Sequence, residues 1–251
     1  MEGQKLYGSV MIKAVEILDF LRDSSEKPTA SEIGEATQST KSTISKILNT
    51  MLVLNLIEKD EQTLRYSIGT KMIGYGNRAI ENYSFETQIE PYLEKIHDEI
   101  GQTIHIGVQR EDEIIYIGKR EAKTPVSLKS RVGDKVSMNT SAMGKAILAE
   151  RTDEEIRKHL EICPLKRMTE HTIVDPEAFI KEIEMVRQTG VAFDREENEL
   201  GIYCTGVAIS SATHNYGAVS ISVPVYYLKE EKKKRIIELL LEMKQGMLKA
   251  L

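Results

Sequence analysis

The sequence has no tryptophan, two cysteines and six prolines, and aromatic residues make up 6% of it. Cys163 and Cys204 stand far apart, so neither a disulfide framework nor a Cys-x-x-Cys metal pair is available. A reducing cytoplasm is the expected setting. No apolar run approaches the ~20 residues that cross a bilayer. The opening "MEGQKLYGSVMIKAVEIL" lacks the basic, apolar and small-residue order of a signal peptide, so no membrane partner is expected. Low-complexity tracts and fixed-period repeats are also missing. The five histidines, His97, His105, His159, His171 and His214, form no close-spaced pair. No metal and no cofactor is expected.

One absence is local. The chain is acidic overall, with 39 Asp+Glu against 34 Lys+Arg and a net charge of −5. That balance argues against a protein that coats nucleic acid indiscriminately. Yet Ala36 to Ile57 contains no acid at all, and it contains Lys41 and Lys46.

What is present is ordinary globular material: 251 residues, 41% hydrophobic and 29% charged, enough for one large domain or two smaller ones. Val10 to Arg22 places Val10, Ala14, Ile17, Leu18 and Leu21 at helical spacing. A short second helix follows, with Ala30, Ile33 and Ala36 on its inner face. A third begins after Thr40, a candidate N-cap. Its residues Ile44, Ile47, Leu48, Met51 and Leu52 form one apolar stripe. Lys41, Ser42, Ser45, Lys46 and Asn49 fall on the other side. "LIEK" and "LRYSI" alternate around "DEQT", which reads as a hairpin. In it Leu64, Tyr66 and Ile68 face inward, while Arg65 and Ser67 face outward.

The acid-free helix fits a helix that meets DNA. Phosphates repel carboxylates and reward lysines through counterion release, and short polar side chains reach base edges in the major groove. Two helices joined by a tight turn and followed by a hairpin match a winged helix-turn-helix. Thr40, Lys41, Ser42, Ser45, Lys46 and Asn49 are the candidate DNA contacts, and Arg65 is a candidate phosphate contact from the wing. By itself the helix also reads as a solvated amphipathic one. Residues 70–84 read as a linker helix between a DNA-binding domain at 1–69 and a second domain at 85–251. Such a linker serves either as a dimer contact or as packing on its own domain.

From Gln102 the period changes. "TIHIGVQ", "EIIYIGK", "VSLKSRV", "VAFD", "IYCTGVAIS" and "GAVSISV" read as strands. "TSAMGKAILAE", "DEEIRKHLE", "DPEAFIKEIEMVRQTG" and the segment after Lys229 read as helices. Strands and helices without strict alternation give an α+β class built on a largely antiparallel sheet. Ser220 and Ser222, two apart on a strand, point the same way, either to serve one ligand or merely to pack on the sheet's solvent face. The backbone N–H groups where "NTSAMGK" enters a helix suit a carboxylate. Asp194 is able to accept hydrogen bonds from ligand hydroxyls or to cap a turn, and Cys204 reads as a small buried hydrophobe before a reactive thiol. Glu196 and Glu197 read as structural or solvated. Lys145, near the start of a helix, reads as exposed.

"MNTSAMGKAILA", "GVAFDREENELGIYCTGVAI" and "GAVSISVP" resemble, in this order, three segments of the IclR family of transcriptional regulators. The resemblance covers nearly the whole chain. It implies a winged helix-turn-helix joined to a GAF-like effector domain, acting as a homodimer or a dimer of dimers on a double-stranded DNA operator. It implies a ligand-responsive regulator of a catabolic operon rather than an enzyme, gated by a small carboxylic acid. A sugar acid such as 2-keto-3-deoxygluconate is the first choice. The implied effector positions are Ala142, Met143, Asp194, Cys204, Ser220 and Ser222. Met143 departs from the smaller residues common in the family and reshapes the pocket. Two other readings stay open here: an enzyme using Cys204, and a constitutive DNA-binding module with an empty pocket.

Overall fold

The structure is a computed structural model that describes residues 8–81, 85–125, 128–211 and 214–250. It divides into two units, Met1–Asn82 and Tyr83–Leu251.

In the first unit, helices α1 (Ser9–Asp23), α2 (Ala30–Ala36) and α3 (Lys41–Val53) precede the hairpin β1 (Ile57–Lys59) and β2 (Tyr66–Ile68), then α4 (Lys71–Glu81). Capping fixes where the helices begin. Thr29 and Glu32 form a reciprocal capping box at α2, and the Thr40 side chain accepts the Thr43 N–H at α3. The apolar stripes meet in a core of Ile17, Leu21, Ile33, Ile44, Ile47, Leu48, Met51, Ile57 and Tyr66. Four expected inward residues fall outside it. Val10 is 63% and Leu64 54% exposed, Ile68 is also exposed, and Ala36 yields its place to the buried Thr37. Leu64 has a φ of +57°, which breaks the strand alternation just before β2. Thr37 is tolerated inside because its hydroxyl donates to the Ile33 carbonyl.

In the second unit, α5 (Phe85–Ile100) leads into β3 (Thr103–Arg110) and β4 (Glu113–Arg120). Then come β5 (Lys135–Ser137), α6 (Ala142–Leu148), α7 (Asp153–Ile162) and α8 (Pro176–Thr189). The chain ends with β6 (Ala192–Arg195), β7 (Ile202–Ser210), β8 (Asn215–Pro224) and α9 (Glu230–Ala250). The sheet order is β5-β4-β3-β8-β7-β6, antiparallel throughout. The fold is therefore α+β, as the sequence pattern predicts. Among the described residues no helix is long and apolar enough to cross a membrane.

Strand alternation gives the sheet two different faces. Ile104, Ile106 and Val108 of β3, with Val219, Ile221 and Val223 of β8, pack against α5 and α9 through Leu93, Ile96, Leu240 and Met243. The opposite face carries Ala208 and Ala218, which pack with Met143, Ile147, Phe179 and Ile183 of α6 and α8. Along that second face the strands become polar, and there the pocket forms.

"VSLKSRV" was expected to be a strand. Val126 and Ser127 lie outside the described residues, and 128–132 form no strand. The reason is visible at Lys119. Its ammonium donates to the carbonyls of Leu128 at 2.8 Å and Ser130 at 2.7 Å, binding that backbone to a side chain instead of a neighbouring strand.

Candidate functional site

In the first unit, every residue of the expected DNA surface on α3 is solvent-facing. Lys41, Ser42, Ser45, Lys46 and Asn49 are exposed, opposite the buried Ile44, Ile47 and Leu48. Thr40 is exposed but its hydroxyl is engaged in the cap. Arg65 holds the wing. Its guanidinium donates to the Lys27 carbonyl at 2.5 Å and lies 3.9 Å from the Glu32 carboxylate, while its backbone bridges Thr29. The turn between β1 and β2 is closed by Asp60, whose carboxylate accepts the N–H groups of Gln62 and Thr63.

The second unit gathers all six expected effector residues around one cavity of about 70 Å³. Register explains how. Asp194 of β6 stands opposite Cys204 of β7, which stands opposite Ser222 of β8. In the next row Gly206 faces Ser220, which faces His105 of β3. Cross-strand neighbours of this kind lie side by side on one face. The start of α6 lies directly on the second row. A Cβ added at Gly206 would come within 3.0 Å of the Ala142 carbonyl carbon and 3.2 Å of the Met143 nitrogen, so only glycine lets the helix approach. Met143 is 1% exposed, and its sulfur reaches to 3.0 Å of where a Gly107 Cβ would stand. The side chain fills space that a smaller residue would leave to a ligand.

Three further residues were not foreseen. His105 joins a chain of polar contacts: Cys204 Sγ to Ser222 Oγ at 3.2 Å, Ser222 Oγ to His105 Nδ1 at 3.3 Å, and His105 Nε2 to Ser130 Oγ at 2.8 Å. Tyr116 stacks on the His105 ring at 4.5 Å. The signal was present in "TIHIGVQ": Thr103 and His105 alternate against Ile104 and Ile106. That pattern gives the strand a polar side as well as an apolar one.

Lys145 reverses expectation. It is fully buried, with its ammonium 2.5 Å from Glu197 and 3.5 Å from Glu182. Glu197 is likewise buried. Arg195 reaches the same Glu182 carboxylate at 2.7 Å. A charge this deep persists only when paired, and the pairing ties α6 to α8 and to the turn between β6 and β7.

Electrostatics in the cavity favour neutral groups. Burial, with a smaller contribution from Lys119, pushes the His105 imidazole down to about 3, so it is neutral at pH 7. Burial and then the Asp194 carboxylate hold the Cys204 thiol well above its ordinary range. Within this cavity the Cys204 thiol and the His105 imidazole are therefore both neutral and do not form a thiolate–imidazolium pair. Burial raises Asp194 to about 6, against the lowering effect of the Glu197 and Asn198 N–H groups. No lysine or arginine lines the cavity among the described residues. A carboxylate ligand is therefore met by hydroxyls and backbone N–H groups. Asp194 suits hydroxyls on the ligand.

A winged helix presenting a basic, acid-free face, together with an α+β unit enclosing a small polar cavity, defines a ligand-responsive DNA-binding transcriptional regulator. The comparisons agree. The model of the bacterial transcriptional regulator IclR C-terminal domain matches residues 77–247, and that of the IclR helix-turn-helix domain matches residues 11–61. The chain is 30% identical over 236 residues to the HTH-type transcriptional regulator KdgR of Escherichia coli (strain K12), covering 92% of this chain and 88% of that one. It is 25% identical over 231 residues to the HTH-type transcriptional regulator BhcR of Paracoccus denitrificans (strain Pd 1222), covering 92% and 82%. The crystal structure of the Thermotoga maritima IclR superposes with a TM-score of 0.85 at 31% identity, over 97% of this chain and 98% of that one. The chain belongs to the IclR family. It is a transcriptional regulator and not an enzyme.

Proposed function

We propose that the cavity under α6 is the effector site and that it takes a small hydroxylated carboxylic acid, with 2-keto-3-deoxygluconate the first candidate. The observation that carries this reading is the row Asp194–Cys204–Ser222, with Ser220 beside it beneath Ala142 and Met143. Hydroxyls converge there with the carboxylates of Asp194 and Glu199, beside the stacked rings of His105 and Tyr116. The ligand's carboxylate meets Ser220, Ser222 and the first N–H groups of α6, and its hydroxyls meet Asp194. Pockets that enclose larger ligands hold ~300–1,000 Å³, so the 70 Å³ cavity admits such an acid only when Met143 swings aside. The chain then acts on a catabolic operon as a homodimer or dimer of dimers, with residues 70–84 linking the DNA-binding part, 1–69, to the effector part, 85–251. The winged helix reads DNA through Lys41, Ser42, Ser45, Lys46 and Asn49, with Thr40 and Arg65 at the edges of that surface. Effector binds one quaternary arrangement better than another and alters the operator affinity of the paired winged helices by about 1–3 kcal/mol.

The test is thermal melting of the purified protein against keto acids, sugar acids and aromatic acids. 4-Hydroxybenzoate belongs in the panel because an IclR homolog from Microbacterium hydrocarbonoxydans with this fold, 20% identical, is complexed with it. Binding to the native state raises the melting temperature in proportion to ln(1 + [L]/Kd). A shift confined to hydroxylated acids, lost in Ser222→Ala and Asp194→Ala variants that still bind operator, supports the reading. A full shift in both variants removes the assigned site.

A further inference from the structure

Outside the effector cavity, three side chains with metal-binding atoms meet where a hairpin turn reaches the end of α7. β3 and β4 are joined through Glu111 and Asp112 alone, with Glu111 at a φ of +52°. This tight turn carries Asp112 out from the sheet. His159 and Cys163 are four residues apart, so they share one face of the last turn of α7. Cys163 caps that helix, its N–H donating to the His159 carbonyl at 2.8 Å. One carboxylate oxygen of Asp112, one ring nitrogen of His159 and the Cys163 sulfur all lie within 4.8 Å of one another. His159 Nδ1 stands 3.5 Å from Asp112 Oδ1, and the imidazole is 9% exposed. Cys163 is half-buried and Asp112 is open to solvent, which gives an ion a way in.

We propose that Asp112, His159 and Cys163 form a binding site for a divalent transition metal of the zinc class, with three protein ligands and a fourth position open. The donor set selects the ion. A thiolate with an imidazole suits zinc or cobalt, whereas magnesium and calcium require oxygen throughout. In a tetrahedral site with bonds of ~2.0–2.3 Å, donors lie roughly 3.5 Å apart. The His159–Asp112 separation of 3.5 Å already fits, and the remaining spread, at most 4.8 Å, closes by about an ångström through side-chain rotation. On binding, the Cys163 S–H bond breaks, its proton leaves to solvent and a sulfur–metal bond forms. Arg151, whose positive charge reaches His159, donates to Gln109 at 2.9 Å and not to the three donors. Scanning the sequence for paired histidines or cysteines misses this site, because it draws one donor of each kind from two separated segments.

The site is tested with tag-free, full-length protein titrated with Co²⁺. One equivalent is expected to produce a thiolate-to-cobalt charge-transfer band that Zn²⁺ removes and Mg²⁺ does not. Cys163→Ser abolishes the band, while His159→Gln and Asp112→Asn weaken the affinity by about a hundredfold. Cys204→Ser keeps the band, which separates this site from the effector cavity. Zn²⁺ also raises the melting temperature of the parent protein and not of Cys163→Ser, and an unchanged metal-free melting curve shows that this variant is folded. No band and no melting shift in the parent protein overturns the proposal. So does a band that survives Cys163→Ser, or one unaffected by both His159→Gln and Asp112→Asn.

Discussion

At the scale of single residues, neighbouring charges on the DNA-binding unit have different work. Lys46 is exposed on the outer side of α3, so Lys46→Ala is expected to weaken operator binding and reduce the slope of log affinity against log salt by about 0.9, without changing the melting temperature. Arg65 pins the wing to the Lys27 carbonyl, so Arg65→Ala is expected to lower both operator affinity and the melting temperature. Salt-dependent binding measured beside melting separates the two. His105 and Asp194 set opposing pH dependences. His105 titrates at 6.5 ordinarily and at about 3 in the fold. Between those values the unfolded chain holds a proton that the folded chain lacks, so acidification favours unfolding. Asp194 is raised from 3.8 to about 6, so over that window the folded chain holds the extra proton and acidification favours folding. Urea midpoints followed from pH 7 to 4 are expected to fall less steeply in His105→Gln and more steeply in Asp194→Asn.

At the scale of elements, α6 is the piece to which most of the site is attached. It lies on Gly206, carries Met143 into the cavity and buries Lys145 against Glu197 and Glu182. Lys145→Ala leaves Glu197 charged and unpaired and is expected to cost about 3–5 kcal/mol in urea unfolding. Lys145→Met with Glu197→Leu recovers most of that, since Glu182 keeps Arg195 at 2.7 Å. These elements also show what sequence reasoning reaches. The alternation of Ser220 and Ser222 places those two on one face, whereas Asp194 and Cys204 enter through the family resemblance; the register sets Asp194, Cys204 and Ser222 in one row. The stripe of Ile44, Ile47, Leu48 and Met51 is likewise legible, because a 3.6-residue period reports burial directly. Lys145 was not, because a lone lysine is normally exposed and its carboxylate partners lie in distant segments. The clue was the segment itself: "AMGKAIL" has no polar side, and a helix apolar all round is buried. The strand expected at "VSLKSRV" failed for a similar reason, since the Lys119 ammonium that claims its carbonyls is remote in sequence.

At the scale of the whole molecule, α4 presents Ile73 at 62% and Tyr75 at 55% exposure, and none of its described side chains is buried. A second copy of the chain is the occupant that the proposed dimer supplies. Ile73→Glu is expected to shift the sedimenting species toward monomer and, by removing simultaneous engagement of two half-sites, to weaken operator binding by about 10²–10⁴-fold. Operator binding by a variant that sediments as monomer, at unchanged affinity, contradicts this.

If the proposed effector binds there, the small cavity beneath Met143 also governs the rate of its entry. A side chain that fills the site is a shutter, and a ligand enters only as often as the shutter opens. As the signal rises, the rate of response climbs until it equals the opening rate and then stops climbing. Once the acid is inside, the same closure delays its escape.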